Sequence, residues 1–171
     1  KNKLLKSVKS RMISDVPIGG FLSGGIDSSV ICAMMQHNED KKIKTFTIGF
    51  EENKFDESLD ARLISKILNT DHTEVILNKE NIISSLNNIT EAWDEPFADP
   101  SKIPTLLLAK ITKEKVKVSL SGDGGDELFG GYSRYKQAFY LHQIFNNYGQ
   151  VVLKFLAIAS LKGINKFANY K

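Results

Sequence analysis

The segment Ser23-Gly24-Gly25-Ile26-Asp27-Ser28-Ser29 constrains the fold of this chain more than any other stretch. It follows a short apolar run, Ile18 to Leu22, which Pro17 opens, and it precedes the apolar run Val30-Ile31-Cys32-Ala33-Met34-Met35. The first run has the length of a strand and the second reads as a buried helix. A strand that turns through two glycines into a helix leaves successive backbone N–H groups unpaired at the turn, and the helix dipole adds positive potential there. Such a turn is an anion site, and phosphate is the usual occupant. Gly24 and Gly25 let the backbone approach phosphate oxygens, and Ser23, Ser28 and Ser29 offer hydroxyl donors. Asp27 would repel a phosphate unless a magnesium ion lies between them. The loop is not a Walker A loop, because the lysine that reaches the terminal phosphates there is absent. The plainer reading is a glycine turn before a helix, with Asp27 as a helix-start charge. Against it, six specified positions at roughly 7% usage each match by chance about once in ten million starting points.

The rest of the chain alternates strand and helix. Leu4, Leu5, Val8 and Met12 recur at helical spacing. Ile43 to Phe50 alternates and is rich in β-branched and aromatic residues, so it is a second strand. Asp56 suits the cap of a helix on which Leu59, Leu63 and Ile67 share one face. His72 to Leu77 reads as a third strand, and Ile82, Leu86, Ile89 and Trp93 as a further helix face. Pro104 fits the first turn of a helix that carries Leu106 to Leu108 and Ile111. Val116 to Leu120 is another strand, closed by Ser121-Gly122-Asp123-Gly124-Gly125-Asp126. This alternation implies an α/β fold, a parallel sheet with helices on both faces. Ligands in such sheets bind at strand carboxyl ends, near a switch in strand order. Both glycine-rich loops fall at strand carboxyl ends, so they can face one site. Tyr135, Phe139, Leu141, Ile144 and Phe145 then suggest a helix, Gly149 an interruption, and Val151 to Leu161 a second helix that packs rather than binds.

Bulk properties exclude several classes. The 171 residues suffice for one domain with a sizeable core, and 25% charged residues suit a globular protein. The net charge of +3 comes from scattered lysines, with no basic block interleaved with aromatics, so no nucleic-acid partner is expected. No stretch has the length and apolarity of a membrane span, and no signal-peptide core follows the first lysines. A cytoplasmic location is the default expectation. Cys32 is the sole cysteine, which rules out an intrachain disulfide, and its apolar surroundings suit a small buried residue. Asn88-Ile89-Thr90 matches a glycosylation acceptor, but nothing else has a secreted character.

Asp15 to Ser29, read as Asp-Val-Pro-Ile-Gly-Gly-Phe-Leu-Ser-Gly-Gly-Ile-Asp-Ser-Ser, closely resembles the synthetase domain of glutamine-dependent asparagine synthetases. The shorter Ser-Gly-Gly-x-Asp-Ser core is shared with the wider N-type ATP pyrophosphatases. Ser121 to Tyr132, Ser-Gly-Asp-Gly-Gly-Asp-Glu-Leu-Phe-Gly-Gly-Tyr, resembles the second signature of the asparagine synthetase branch. It lacks the alternating acidic ligands of a calcium-binding EF-hand. Thr45 to Phe50, Phe55-Asp56-Glu57, Thr70-Asp71-His72 and Asp94-Glu95-Pro96 are similar to further family segments. For these the simpler readings stay open: Asp56 also fits a plain helix cap, and His72 a structural histidine.

The resemblance implies a PP-loop ATPase fold of the adenine nucleotide α-hydrolase-like type over residues 1–132. Residues 133–171 would be a helical extension that is cut short. It implies ATP and Mg2+ as cofactors, and ATP-driven adenylation of the aspartate side chain with release of pyrophosphate. Ammonia from a glutaminase domain would then displace AMP. Ser23, Gly24, Gly25, Asp27, Ser28 and Ser29 would hold pyrophosphate and magnesium. Phe21, Leu22, Ile48, Ser121 and Gly122 would hold adenosine, largely by backbone, and Asp126 would share the metal with Asp27. Asp123 stands where relatives often have a Glu that takes a proton from ammonia, and Asp99 about where some carry an arginine. Both departures suggest a distinct subgroup. Neither the glutaminase domain nor the later helical region of the family is seen, so the chain reads as a fragment with weak or no turnover of its own. A homodimer is expected of the full-length protein. Two alternatives remain: an amidotransferase for another carboxylate, such as a sugar acid or a β-amino acid, and a non-catalytic nucleotide-binding module.

Overall fold

The computed structural model describes residues 1–51, 56–85, 92–95, 99, 101–146 and 149. They form two compact units that divide between Asp123 and Gly124. In the first unit, α1 (Asn2–Arg11) leads to β1 (Ile18–Phe21), and α2 (Ile26–His37) to β2 (Lys44–Phe50). Then come α3 (Ser58–Leu68), β3 (Asp71–Leu77), α4 (Lys79–Ser85), α5 (Lys102–Lys115) and β4 (Val118–Leu120).

The four strands form one sheet in the order β3-β2-β1-β4, and every neighbouring pair is parallel. The chain steps outward from β1 to β3, then returns to the other side of β1. Right-handed crossovers in opposite directions put their helices on opposite faces. Accordingly α2 packs on β1 and on α3, whereas α5 packs on β2 and on α4. Side-chain alternation agrees. A Cβ on Gly20 would meet Cys32 and Met35 of α2, while neighbouring Gly19 is covered by the ring of Phe46 on the α5 side. The sheet is therefore covered on both faces, as its strand–helix alternation predicts.

The core on the α2 side joins Val8, Leu22, Cys32, Met35, Ile43 and Ala61, with Ile18, Ile31, Ile64, Leu68 and Leu120 packed around them. Three expectations need correction. Val30 lies outside the buried face of α2, which is formed by Ser28, Cys32 and Met35. On α3 the face of Leu59, Leu63 and Ile67 is 60%, 59% and 81% exposed, while Ser58, Ala61 and Ser65 are buried. The inner face is small because α3 runs close to main chain: Gly24 and Gly49 both abut its first turn. Larger residues would hold the helix away. Val116 ends α5 as its buried C-cap, so β4 starts two residues later than the apolar run.

The second unit begins with α6 (Gly125–Phe129), and residues 133–146 form a further helix, α7. Tyr132 donates to Glu127 Oε1 at 2.7 Å, and the Arg134 guanidinium lies 4.0 Å from the Tyr132 ring centroid. Gly149, expected as an interruption, is itself helical. Phe55, Leu86, the Asn88-Ile89-Thr90 triplet, Pro96, Pro100 and the expected helix from Val151 to Leu161 lie outside the described residues. Among the described residues no helix is long and apolar enough to cross a membrane.

Candidate active site

The carboxyl ends of β1 and β4 are neighbours, and the order of strands reverses between them. Each ends in one of the two glycine-rich loops. Phe21 is half-buried and Leu22 fully buried, and the Leu22 N–H donates to Phe46 O at 2.9 Å, extending the pairing to the edge of the loop. Ile48 is half-buried near the carboxyl end of β2.

The first loop is closed by its own hydroxyls. The Ser23 N–H donates to Ser28 Oγ at 3.1 Å, and the two hydroxyls lie 2.9 Å apart. Ser28 Oγ also donates to Gly25 O at 3.2 Å, and Ser29 Oγ to the same oxygen at 2.6 Å. The Gly25 N–H donates to Ser23 Oγ at 3.3 Å. Gly24 has a φ of +86°, and a side chain there would lie 2.8 Å from Asp60 Cβ. Only glycine combines that backbone with that approach. Gly25 is the N-cap of α2, with no side-chain capping bond. The N–H groups of Ile26, Asp27 and Ser28 therefore have no acceptor among the described residues. Asp27 is half-buried in that first turn.

The second loop comes directly against the first. A Cβ on Gly122 would lie 2.6 Å from Ser28 N and 2.9 Å from Asp27 C. Any side chain at that position would fill the space in front of the Ser28 N–H. Ser121 Oγ donates to Asp123 Oδ2 at 2.9 Å and accepts from the Asp123 N–H at 3.4 Å. Thus Ser23 to Ser29, Ser121 and Gly122 are brought together, with the exposed Asp123 next in the chain. Asp126 belongs to the second unit.

No cluster of three or more potential metal ligands occurs among the described residues. Asp27 is a single carboxylate beside unpaired N–H groups. That suits magnesium, which is commonly held by one or two carboxylates together with substrate phosphates. Cys32 is fully buried, its thiol donates to Phe21 O at 3.5 Å, and burial pushes its pKa up to about 12. It is a core residue and no nucleophile.

His72 is held by structure as well. Its Nδ1 lies 2.9 Å from Thr45 Oγ1, and desolvation keeps its pKa below the ordinary value. Asp99 Oδ1 accepts from the Ser101 N–H at 2.8 Å and the Ser101 hydroxyl at 2.7 Å, which hold the carboxyl below its ordinary pKa. Ser101 is the N-cap of α5, so an aspartate at position 99 has a helix-start role. Sequence reasoning missed two features. The Gly122–Ser28 contact is steric and leaves no mark beyond a glycine. The second is at Asp56: the helix-start bond from the Ser58 N–H to its Oδ1 agrees with the cap read from the sequence, but the bond that the same oxygen accepts from the Phe50 N–H at the end of β2 has no sequence signal.

A cleft of about 280 Å3 lies away from these loops, at the amino ends of β1 and β2, with Met12, Ile18, Met35 and Ile43 among its walls. It plays no part in the loop geometry.

Comparison with known proteins agrees with this architecture. The asparagine synthase family model matches residues 1–169. Asparagine synthetase [glutamine-hydrolyzing] 1 of Bacillus subtilis is 40% identical over 137 residues, which are 80% of this chain and 22% of the relative. A putative asparagine synthetase of Methanocaldococcus jannaschii is 41% identical over 133 residues, 77% of this chain and 26% of the relative. The chain therefore spans about a quarter of the length of these curated relatives. The structure of an NH3-dependent NAD synthetase from Campylobacter jejuni superposes with a TM-score of 0.52 at 17% identity, covering 96% of this chain and 85% of that one. At that identity the likeness establishes the fold alone, a parallel sheet covered by helices. Two loops that meet at the strand switch, and a family match over nearly the whole sequence, lead to one conclusion: the chain belongs to the asparagine synthase family.

Proposed function

We propose that this chain is the ATP-binding part of a glutamine-dependent asparagine synthetase that adenylates the side-chain carboxylate of aspartate. The observation that carries this reading is the row of unpaired N–H groups at Ile26, Asp27 and Ser28, which only a glycine at position 122 leaves open. A carboxylate oxygen attacks the α-phosphorus of ATP, and the bond from that phosphorus to the β-bridging oxygen breaks. Pyrophosphate leaves with the electron pair. Ammonia then attacks the acyl carbon, AMP leaves, and a proton passes to a base.

Little covalent help is needed from the protein; positioning and charge neutralisation supply the rate. The N–H row accepts the charge that grows on pyrophosphate. The hydroxyls of Ser23, Ser28 and Ser29 keep the loop in the shape that presents this row. Magnesium, when bound, screens the phosphate charge, and Asp27 would hold it, with Asp126 as the second ligand that the family resemblance suggests. The same resemblance offers Asp123 as the base. Phe21, Leu22, Ile48, Ser121 and Gly122 would border adenosine.

The remaining length of the relatives would supply ammonia and complete the acyl site. The isolated chain then binds Mg–ATP and turns over weakly or not at all. Calorimetry on the chain tests the binding claim. Asp27→Asn should weaken Mg–ATP binding about tenfold or more, as expected for a lost metal-mediated contact, and should strengthen metal-free ATP binding, because the carboxylate repels bare phosphate. Equal affinity of the two proteins for Mg–ATP would remove Asp27 from the site. In a full-length protein, pyrophosphate release should depend on aspartate. Release that ignores aspartate but follows another acid would transfer the chemistry to that acid.

A further inference from the structure

We propose that Asp56 is a positioning residue for the pyrophosphate loop: it fixes the start of α3, and the start of α3 is the wall against which Gly24 closes that loop. The inference rests on the reading of Ser23–Ser29 as the ATP site.

One carboxylate oxygen makes the joint. Asp56 Oδ1 accepts from the N–H of Phe50, the last residue of β2, at 3.3 Å, and from the N–H of Ser58, the first residue of α3, at 3.0 Å. The joint has no slack. A Cβ on Gly49 would lie 2.8 Å from Asp56 Oδ1 and 2.8 Å from Ser58 Cβ. Ser58 is itself buried.

One residue further on, the Glu57 carbonyl accepts from the Ala61 N–H at 3.1 Å, which closes the first turn of α3. This turn meets the loop. A side chain on Gly24 would lie 2.8 Å from Asp60 Cβ, 3.1 Å from Ala61 N and 3.2 Å from Glu57 O. Gly24 leads directly into Gly25, the N-cap of α2 and so the base of the unpaired N–H row. Among the described residues no hydrogen bond runs from Ser23–Ser29 to α3. The loop is therefore registered against α3 by contact alone, and a shift of a few tenths of an ångström at the helix start must be passed on or strained.

The charge state suits this role. Desolvation is the largest influence on Asp56 and opposes ionisation, but the Ser58 and Phe50 hydrogen bonds and nearby Arg62 together hold its pKa below the ordinary value. The acceptor oxygen stays unprotonated at neutral pH.

The test compares Asp56→Ala, Asp56→Asn and Asp56→Glu, with Asp27→Asn as reference. Each is measured for Mg–ATP affinity by calorimetry and for folding by circular dichroism. Asparagine keeps an acceptor oxygen at the same reach, whereas glutamate keeps the charge but displaces the oxygen by a methylene. Asp56→Ala should bind Mg–ATP about tenfold more weakly, the equivalent of one lost hydrogen bond. Asp56→Asn should stay within about threefold of wild type, and Asp56→Glu should resemble alanine. A role in bulk stability alone would not produce that order in folded protein. If Asp56→Ala fails to fold, asparagine against glutamate decides, and equal affinities in that pair overturn the proposal. Wild-type affinity in folded Asp56→Ala, with Asp27→Asn impaired, also overturns it and leaves the ATP site standing. If Asp27→Asn binds as wild type as well, the ATP-site reading fails with it.

Discussion

The two glycine-rich loops sit at neighbouring strand ends, yet they are held in shape by different means. The first, Ser23–Ser29, is bonded to itself by three serine hydroxyls that converge on Gly25 and Ser23, and it runs into the buried side of α2. The second is tied within the first unit by a single side-chain pair, Ser121 to Asp123, and then passes into the second unit. Its contribution to the first loop is proximity: Gly122 lies against the backbone of Asp27 and Ser28. One loop is thus a preformed cradle. The other bears on it at a position that has no side chain.

The largest expected effect follows from that asymmetry. Gly122→Val would place a branched side chain where even a Cβ lies 2.6 Å from Ser28 N. The obstacle is backbone, which cannot rotate away as a flexible side chain would. Overpacking of this kind costs about 1–3 kcal/mol of stability, and a side chain in front of the Ser28 N–H should separately weaken Mg–ATP binding, on the order of 100-fold for valine. Calorimetry on Gly122→Ala and Gly122→Val should show graded losses. Wild-type affinity in both would mean that the second loop does not border the first where ligand binds.

A smaller effect is expected from Ser28→Ala. Ser28 is buried, and its hydroxyl both accepts from Ser23 N–H and donates to Gly25 O. Removing it leaves the part-buried Ser23 N–H without its acceptor, while Gly25 O keeps the Ser29 donors, and the orphaned N–H costs about 1–3 kcal/mol of stability. Thermal unfolding should register this as a drop of several degrees, with a weaker nucleotide affinity beside it. An unchanged midpoint would show that the first loop does not depend on its internal bonds.

Much of this was legible in the sequence, for reasons that differ by feature. The strands and α2 follow from apolar runs and their turn residues, and the tight turn from β1 into α2 follows from glycines, hydroxyls and a helix start in one segment. The inner face of α3 was not legible. Periodicity gives two faces, and size favours the one with Leu59, Leu63 and Ile67. Close approach of Gly24 and Gly49 to the first turn instead favours small Ser58 and Ala61 on the buried side, where Ser65 also lies, a constraint that exists only once distant backbone segments meet. Asp99 illustrates the same limit. Its departure from the family pattern reads as the mark of a distinct subgroup, while its hydrogen bonds to Ser101 show a local helix-start role. Gly122 is the converse case. The glycine was expected to border adenosine, but its steric fit against the first loop is a property of β1 and β4 lying side by side.

The smallest expected effect gives the comparison its sharpest edge. Ser121→Ala removes the hydroxyl that donates to Asp123 Oδ2 and accepts from the Asp123 N–H. Both partners are exposed to water, which replaces the lost bonds, so stability should change by less than about 0.5 kcal/mol. If the second loop acts through the position of Gly122, Mg–ATP affinity should also stay within about twofold, because the β4 pairing of Gly20 with Leu120 still delivers the loop to the same place. A large loss of affinity without loss of stability would contradict that account. It would mean that the Ser121–Asp123 pair shapes the second loop as the serine network shapes the first, and that both loops are cradles.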